Sequence, residues 1–258
     1  MRLERITWPQ AEAYFKEHDT VIVPIGSTEC HGRHMPLGTD TLIPNRILDV
    51  LEPKTDALIA PTMPYGCTDY LSVYPGTISL GYDVTYQVMH AIVEGLRSHG
   101  ARRFVILNGH GGNNAVIERL ELELQKEGCI AVPINWWTLV WDLTGDWEGR
   151  RPWHGGHGGA EETAAVMAID KDLVDYSEIA DSPLKELSPD LPFSSINTIR
   201  FKDVNLPIRR YLKDVSDNGW FGDDHPKYAT AEWGEELISA AADYMADFIE
   251  VLKKVPLE

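Results

Sequence analysis

The sequence predicts an α/β protein, a three-layer α/β/α sandwich with a mainly parallel central sheet. Short apolar runs rich in β-branched residues recur at 21–25, 57–60, 104–107 and 130–134. They are continuous rather than alternating, as expected of strands covered on both faces. Helical patterns lie between them, and strand–helix alternation calls for parallel strands joined by crossover helices. At 258 residues the chain suffices for one large domain and is short for two, so 1–258 is read as a single domain.

Taken in order, the run at 21–25 leads into a Gly-rich loop and then a helix over 40–51, opened by Thr39 or Asp40. A second helix is expected over 84–99, stopped by Gly100, and a third over 114–127, with Asn113 as its N-cap and Gly128 beyond its end. Segment 181–216 carries Pro183, Pro189, Pro192 and Pro207 without a clear period, which predicts an irregular excursion or an oligomer arm. The stretch 229–254 reads as one long final helix, with Leu237, Ala241, Tyr244, Met245 and Phe248 on its inner stripe.

The net charge of −17 argues against nucleic acid as a partner, because its phosphates would be repelled over the whole surface. No stretch approaches a membrane span, and charges occupy the place of a signal-peptide core. Cys30, Cys67 and Cys129 are an odd count without framework spacing, which fits reduced thiols in a cytoplasm. The expected partner is a small-molecule substrate.

Three clusters carry chemistry. Glu29, His31 and Asp40 follow the first strand directly, in Gly26-Ser-Thr-Glu29-Cys-His31-Gly-Arg33 and Leu37-Gly-Thr-Asp40. Two carboxylates and an imidazole suit a divalent metal, since each offers a lone pair without losing a costly proton. Asp40 also stands where a helix cap would, and His31 alone would read as structural; the combination favours the metal. If Glu29 and His31 point the same way from an extended segment, Cys30 points away. A second strand exit, Asn108-Gly-His110-Gly-Gly-Asn113, adds another imidazole. Both loops leave the carboxyl ends of strands, where ligands bind in such sheets. The third cluster is Trp153-His154-Gly-Gly-His157-Gly-Gly-Ala-Glu161-Glu162-Thr163. His157 and Glu162 can both face a pocket, whereas Glu161 and Glu162 point about 100° apart on a helix. Only one of the two can easily face the metal, and the other is read as a solvated first-turn acid.

With these motifs in this order, and with Tyr74-Pro-Gly-Thr-Ile-Ser79 between them, the chain resembles the creatininase (creatinine amidohydrolase) family over nearly its whole length. The resemblance implies an α/β/α hydrolase with a two-metal site, zinc or manganese with iron as a further option, assembled as a homo-oligomer, often a hexamer. By position, it implies Glu29 and His110 on one metal, His31 on the other and Asp40 bridging them. It also implies His157 as the catalytic histidine and Trp153 as an aromatic that closes over substrate. Enzymes dedicated to creatinine carry a tyrosine and then a metal-binding glutamate where this chain has Gly111 and Gly112; Glu162 is the expected replacement ligand. Leu71 and Arg33 also depart from the family pattern. Arg33 and His154 are expected to contact substrate, Arg33 through an oxygen-rich or anionic group. The expected reaction is hydrolysis of a cyclic amide or similar C–N bond by metal-activated water. The alternatives are deformylation of a nucleotide-derived formamide, ring-opening of an oxidised cyclitol diketone at a C–C bond, and a non-catalytic scaffold held by metal.

Overall fold

The four apolar runs form one parallel sheet, flanked on both faces by the helices that connect them. The structure, a computed structural model, describes residues 1–144 and 156–257. The chain passes through α1 (Trp8–Glu17), β1 (Thr20–Ile25), α2 (Thr39–Leu51), β2 (Leu58–Ile59), α3 (Gly81–Ser98), β3 (Arg103–Asn108), α4 (Asn114–Lys126), β4 (Ile130–Asn135) and α5 (Trp136–Thr144). The sheet order is β2-β1-β3-β4, every pairing parallel. β1 and β3 are in register from Thr20 opposite Arg103 to Ile25 opposite Asn108. The two strands therefore end level, and their Gly-rich loops start side by side.

Alternation within the strands splits the core in two. Val21, Val23, Ile25, Phe104 and Ile106 pack under α1, α3 and α4 with Tyr14, Met89, Val93 and Leu120. Ile22, Val105 and Leu107 point the other way, against α2 and the later helices. These two cores make the three-layer α/β/α sandwich. The predicted helix ends hold closely: Gly100 and Gly128 take φ of +123° and +69° just past α3 and α4, which glycine adopts without strain. Helix α1, for which no period was read, is opened by a capping box between Thr7 and Gln10.

The second half continues through β5 (Gly156–His157), α6 (Ala160–Ile169), β6 (Glu186–Ser188), β7 (Leu191–Ser195), β8 (Thr198–Phe201), β9 (Val204–Pro207), α7 (Leu212–Val215), β10 (Phe221–Gly222) and α8 (Ala231–Leu252). Segment 181–216 is thus not irregular throughout: β6 to β9 form a four-stranded antiparallel sheet in sequence order. Phe193 and Ile199 are the buried residues of these short strands, so the alternation is too brief to read as a period. They pack with Leu71, Cys30, Leu212 and Val215, which ties the small sheet to the loops beside β1 and β2. β5 and β10 pair antiparallel, with His157 opposite Phe221.

The final helix runs against α6 and α2 through Trp233, Leu237, Ile238, Ala241, Met245 and Ile249. Tyr244, expected on this stripe, is exposed instead, because the buried face turns one position past it to Met245. Among the described residues no helix is long and apolar enough to cross a membrane. Helices α6 and α8 meet at Gly234, where a Cβ would overlap the Ala164 carbonyl. Gly234→Ala is expected to separate the helices and cost about 1–3 kcal/mol of stability by overpacking. A chemical denaturation midpoint unchanged from wild type would refute this contact.

Candidate metal centre

The loops after β1 and β3 and the first turns of α2 and α6 converge on one buried cluster. The ligand-capable atoms of Glu29, Asp40 and His110 lie within 4.8 Å of one another, as do those of His31, Asp40 and Glu162. Asp40 belongs to both groups. Its Oδ1 is 2.9 Å from His31 Nε2 and its Oδ2 is 3.1 Å from His110 Nδ1. Glu29 Oε1 is 3.1 Å from His110 Nδ1. A third set joins Glu29 and His31 to His157, whose Nδ1 stands 3.7 Å from Glu29 Oε1.

Each imidazole is oriented from behind. The His31 Nδ1–H donates to the Glu29 carbonyl at 3.2 Å, and the His110 Nε2–H donates to the Cys67 carbonyl at 3.1 Å. These bonds fix the tautomers that aim His31 Nε2 and His110 Nδ1 at the carboxylates with their lone pairs free. His157 is held likewise, its Nε2–H donating to the Cys30 carbonyl at 2.5 Å, which leaves Nδ1 facing the cluster. Ser27 Oγ donates to Glu29 Oε2 at 2.9 Å and the Gly158 N–H to Glu162 Oε2 at 2.6 Å. Glu29 Oε1, His31 Nε2 and Asp40 Oδ2 remain buried without a hydrogen bond of acceptable angle. Converging buried lone pairs that do not bond to each other are what a divalent cation satisfies, so this donor set fits metal.

The electrostatics agree. Burial alone would discharge His31, but Asp40, Glu162 and Glu29 outweigh it and hold its pKa at about 10. His110 is raised in the same way by Glu29 and Asp40. Burial works against the Asp40 carboxylate, and the two imidazoles overcome it and hold its pKa well below the usual range. Glu162 is pushed up to about 7, first by burial and then by Asp40, with His31 opposing. Protons on the imidazoles thus neutralise three crowded carboxylates, a role that cations would take over with release of those protons. His157 is different: burial and then the neighbouring His31 press it down to about 3, so this imidazole is neutral.

The surrounding contacts explain the rigidity. Asn108 Oδ1 accepts from the His110 N–H, and Asn113, expected as a helix cap, instead spans the Gly26 carbonyl and the Cys67 N–H. Its amide bridges the two motif loops and the loop after β2, and the N-cap residue of α4 makes no capping bond with its side chain. Asp40 likewise caps nothing; it lies inside the first turn of α2, after Gly38.

Two expectations fail here. Glu161 is not a solvated acid: it is buried, its Oε2 accepts from Trp141 Nε1 at 2.6 Å, and burial drives its pKa far up. Helix α6 packs against both α8 and α2, leaving this side of its first turn no path to water. Arg33 is turned to the surface, where it is 66% exposed and pairs with Glu178. Its reach is spent on that partner, and it makes no contact with the cluster. Trp153 and His154 lie outside the described residues. Sequence reading missed Asp224, which accepts from the Glu161 N–H with its side chain and from the Ala160 N–H with its carbonyl, and so seats the helix carrying Glu162. It lies 63 residues from Glu161, and no local spacing marks it. His34 also backs this helix, its Nε2 3.1 Å from Thr163 Oγ1.

Comparison with known proteins decides the family. The creatinine amidohydrolase (creatininase) family profile matches residues 4–249. The chain belongs to the creatininase family. It is 30% identical over 201 residues to the creatinine amidohydrolase of Pseudomonas putida, which covers 71% of this chain and 77% of that protein. It is also 30% identical over 243 residues to the mycofactocin precursor peptide peptidase of Mycolicibacterium smegmatis, covering 89% and 84% respectively. A manganese form of creatininase superposes with a TM-score of 0.77 at 27% identity, over 98% of this chain and 99% of that one. A mutant creatininase of zinc–zinc type superposes equally well, with a TM-score of 0.77, 27% identity and 98% of each chain covered. The protein is therefore a hydrolase of this family, and its buried metal-binding groups fit metal dependence.

The departure at 111–112 has a steric reason. A Cβ on Gly112 would overlap the Cys67 carbonyl and the His110 ring, whereas one on Gly111 would meet only Trp137, at 3.8 Å. Position 112 therefore carries no carboxylate in this backbone, and Glu162 is the acid on that side. Gly112→Ala should displace His110 and weaken metal binding by about 10–100-fold, as loss of a ligand's support does, while Gly111→Ala keeps full metal content. Elemental analysis after dialysis separates the two; equal metal in both variants would refute the account.

Proposed function

We propose that the protein is a two-metal amidohydrolase of the creatininase family that hydrolyses a cyclic amide or similar C–N bond. The observation that carries this is the pair of overlapping donor sets sharing Asp40: Glu29, Asp40 and His110 on one side, His31, Asp40 and Glu162 on the other. Zinc or manganese suits imidazole and carboxylate ligands of this mix, and the relatives of zinc and manganese type favour the same metals. Two similar proteins bear on the bond broken: one is a creatinine amidohydrolase and the other a peptide peptidase, and both cleave C–N bonds of amide type. Action in the cytoplasm and homo-oligomeric assembly, a hexamer by analogy with the family, belong to the same reading. The three free thiols support the first. Exposed Trp8 beside an apolar groove of about 880 Å³ supports the second.

When bound, two divalent ions supply Lewis acidity for the substrate carbonyl and activate water at neutral pH. The rest follows from the chain. Asp40, Glu29 and Glu162 bring three negative charges to a water-poor site and fix the ligand geometry before substrate arrives. His157 is the general acid–base. Its Nε2–H is tied to the Cys30 carbonyl, so Nδ1 is the atom that can take a proton from the attacking water and return it to the leaving nitrogen. Its neutral resting form is the one that can accept that proton. Gly158 lets the loop carrying His157 close against the His31 backbone and Trp220, both of which a Cβ there would overlap.

His157→Gln is expected to keep its metal and lose turnover by about 10²–10⁴-fold. Activity within a few-fold of wild type would remove His157 from the reaction. Asp40→Ala should lose both metals, because both donor sets depend on it; two equivalents retained in elemental analysis would disprove the shared-ligand assignment. Chelation should abolish turnover of wild-type protein on a panel of cyclic amides, and a chelator-insensitive rate would reject the metal mechanism.

A further inference from the structure

One cavity lies beside the candidate centre, walled in part by Gly111 and Gly112, the two residues that follow His110. It measures about 420 Å³, and its walls include Tyr70, Gly111, Gly112, Asn197, Arg209 and Arg210, with the first turn of α4. The chain as a whole carries 40 acidic and 23 basic residues, yet no carboxylate is among the residues lining this cavity. Arg210 is paired with Asp214 at 3.1 Å, whereas Arg209 has no carboxylate partner among the described residues. Arg209 is exposed, so its guanidinium stands in the cavity wall open to a ligand from solvent.

The cavity adjoins the centre through Gly112 and Tyr70. Gly112 abuts the His110 ring so closely that a Cβ would overlap it. The Tyr70 phenol is raised first by burial, and the charges of His110, Glu29 and Asp40 all bear on it. Gly111, where a Cβ would come only into ordinary contact with Trp137 at 3.8 Å, lines the cavity next to Gly112. The far wall comes from the small sheet: Asn197 sits in the turn between β7 and β8, and the arginines follow β9. A substrate whose scissile amide lies over the cluster would thus extend its remainder towards two guanidiniums, an asparagine amide and the start of a helix. All four favour a negative charge.

We propose that this cavity is a substrate-specificity subsite that binds an anionic tail, a carboxylate or a phosphate, with Arg209 as its principal ligand. The inference rests on the reading of the centre as a metal site, since the anion is the far end of a molecule anchored there. Charge-assisted hydrogen bonds from a guanidinium contribute about 1.5–3 kcal/mol, enough for tenfold or greater discrimination against a neutral tail.

The test uses hydroxamates, which anchor on metal, in a matched series. The monohydroxamates of succinate, glutarate and adipate are compared with the corresponding neutral carboxamides and with phosphonate-tailed analogues, by isothermal titration into metal-loaded protein. At the best chain length, the anionic tail should bind about tenfold or more tightly than the carboxamide. Arg209→Ala should bring that ratio close to one, and Arg209→Lys should restore part of it. The carboxylate and phosphonate arms show which anion fits. Equal binding of charged and neutral tails at every length, or a ratio unaffected by Arg209→Ala, overturns the subsite while leaving the metal site standing. Failure of every hydroxamate to bind sinks the metal reading and the subsite with it.

Discussion

The close approach of helix α2 to the ends of β1 and β3 is the constraint on which the rest of the site depends. The Asp40 carbonyl lies where a Cβ on Gly26 or on Gly109 would stand, so both strands must end in glycine for the helix to enter. Pro44, one turn on in the same helix, packs against Gly109 and has no N–H to offer the Asp40 carbonyl. The first turn is therefore pressed between the strand ends. This insertion carries the Asp40 side chain to within hydrogen-bonding distance of His31 and His110, which come from two different loops. Level strand ends, set by the parallel register of β1 and β3, make that double contact geometrically available.

Once Asp40, Glu29 and Glu162 share one buried volume, charge must be balanced there. Three carboxylates without compensation would each carry a desolvation cost of several kcal/mol. The imidazoles are the groups at hand, and two of them respond with strongly raised proton affinity. His157, its ring centroid 4.3 Å from that of His31 and tilted by 33° to it, is left neutral. The same burial that makes the cluster a sink for positive charge thus divides its three histidines by charge. In the proposed mechanism the two that face the carboxylates hold the cations, and the third keeps a nitrogen for proton transfer.

How much of this could be read from the sequence follows the range of the interactions involved. The strands at 21–25, 104–107 and 130–134 were legible because burial on both faces writes a local signal, and the stops at Gly100 and Gly128 because left-handed backbone selects glycine. The convergence of Glu29, His31, Asp40 and His110 was legible from a fold rule, since loops at the carboxyl ends of adjacent parallel strands share a crevice. What escaped was set by packing at a distance. Glu161 is buried because α6 lies between α8 and α2, a fact absent from its neighbours in sequence. Asp224 reaches the same helix from the loop after β10. Arg33 was assigned to substrate from its place in the motif, and its position is decided by Glu178, 145 residues away. The small sheet itself was missed because single buried residues such as Phe193 and Ile199 do not make a period.

These failures and successes fall on opposite sides of a physical division. The proposed ligands stand on strand ends and helix first turns; Glu29, His31, His110 and Glu162 are each fixed by a backbone carbonyl, an N–H or a hydroxyl, and such a centre tolerates little change. The small sheet is attached to the body through Leu71 and Cys30, the residues that flank that centre rather than form it. Leu71 is buried in the cluster with Phe193 and Ile199, a setting that suits an apolar side chain. Because the anchor lies outside the proposed ligand set, a change in the small sheet can reshape the wall without moving the donors. In this chain that wall carries Arg209 and Arg210, which follow β9.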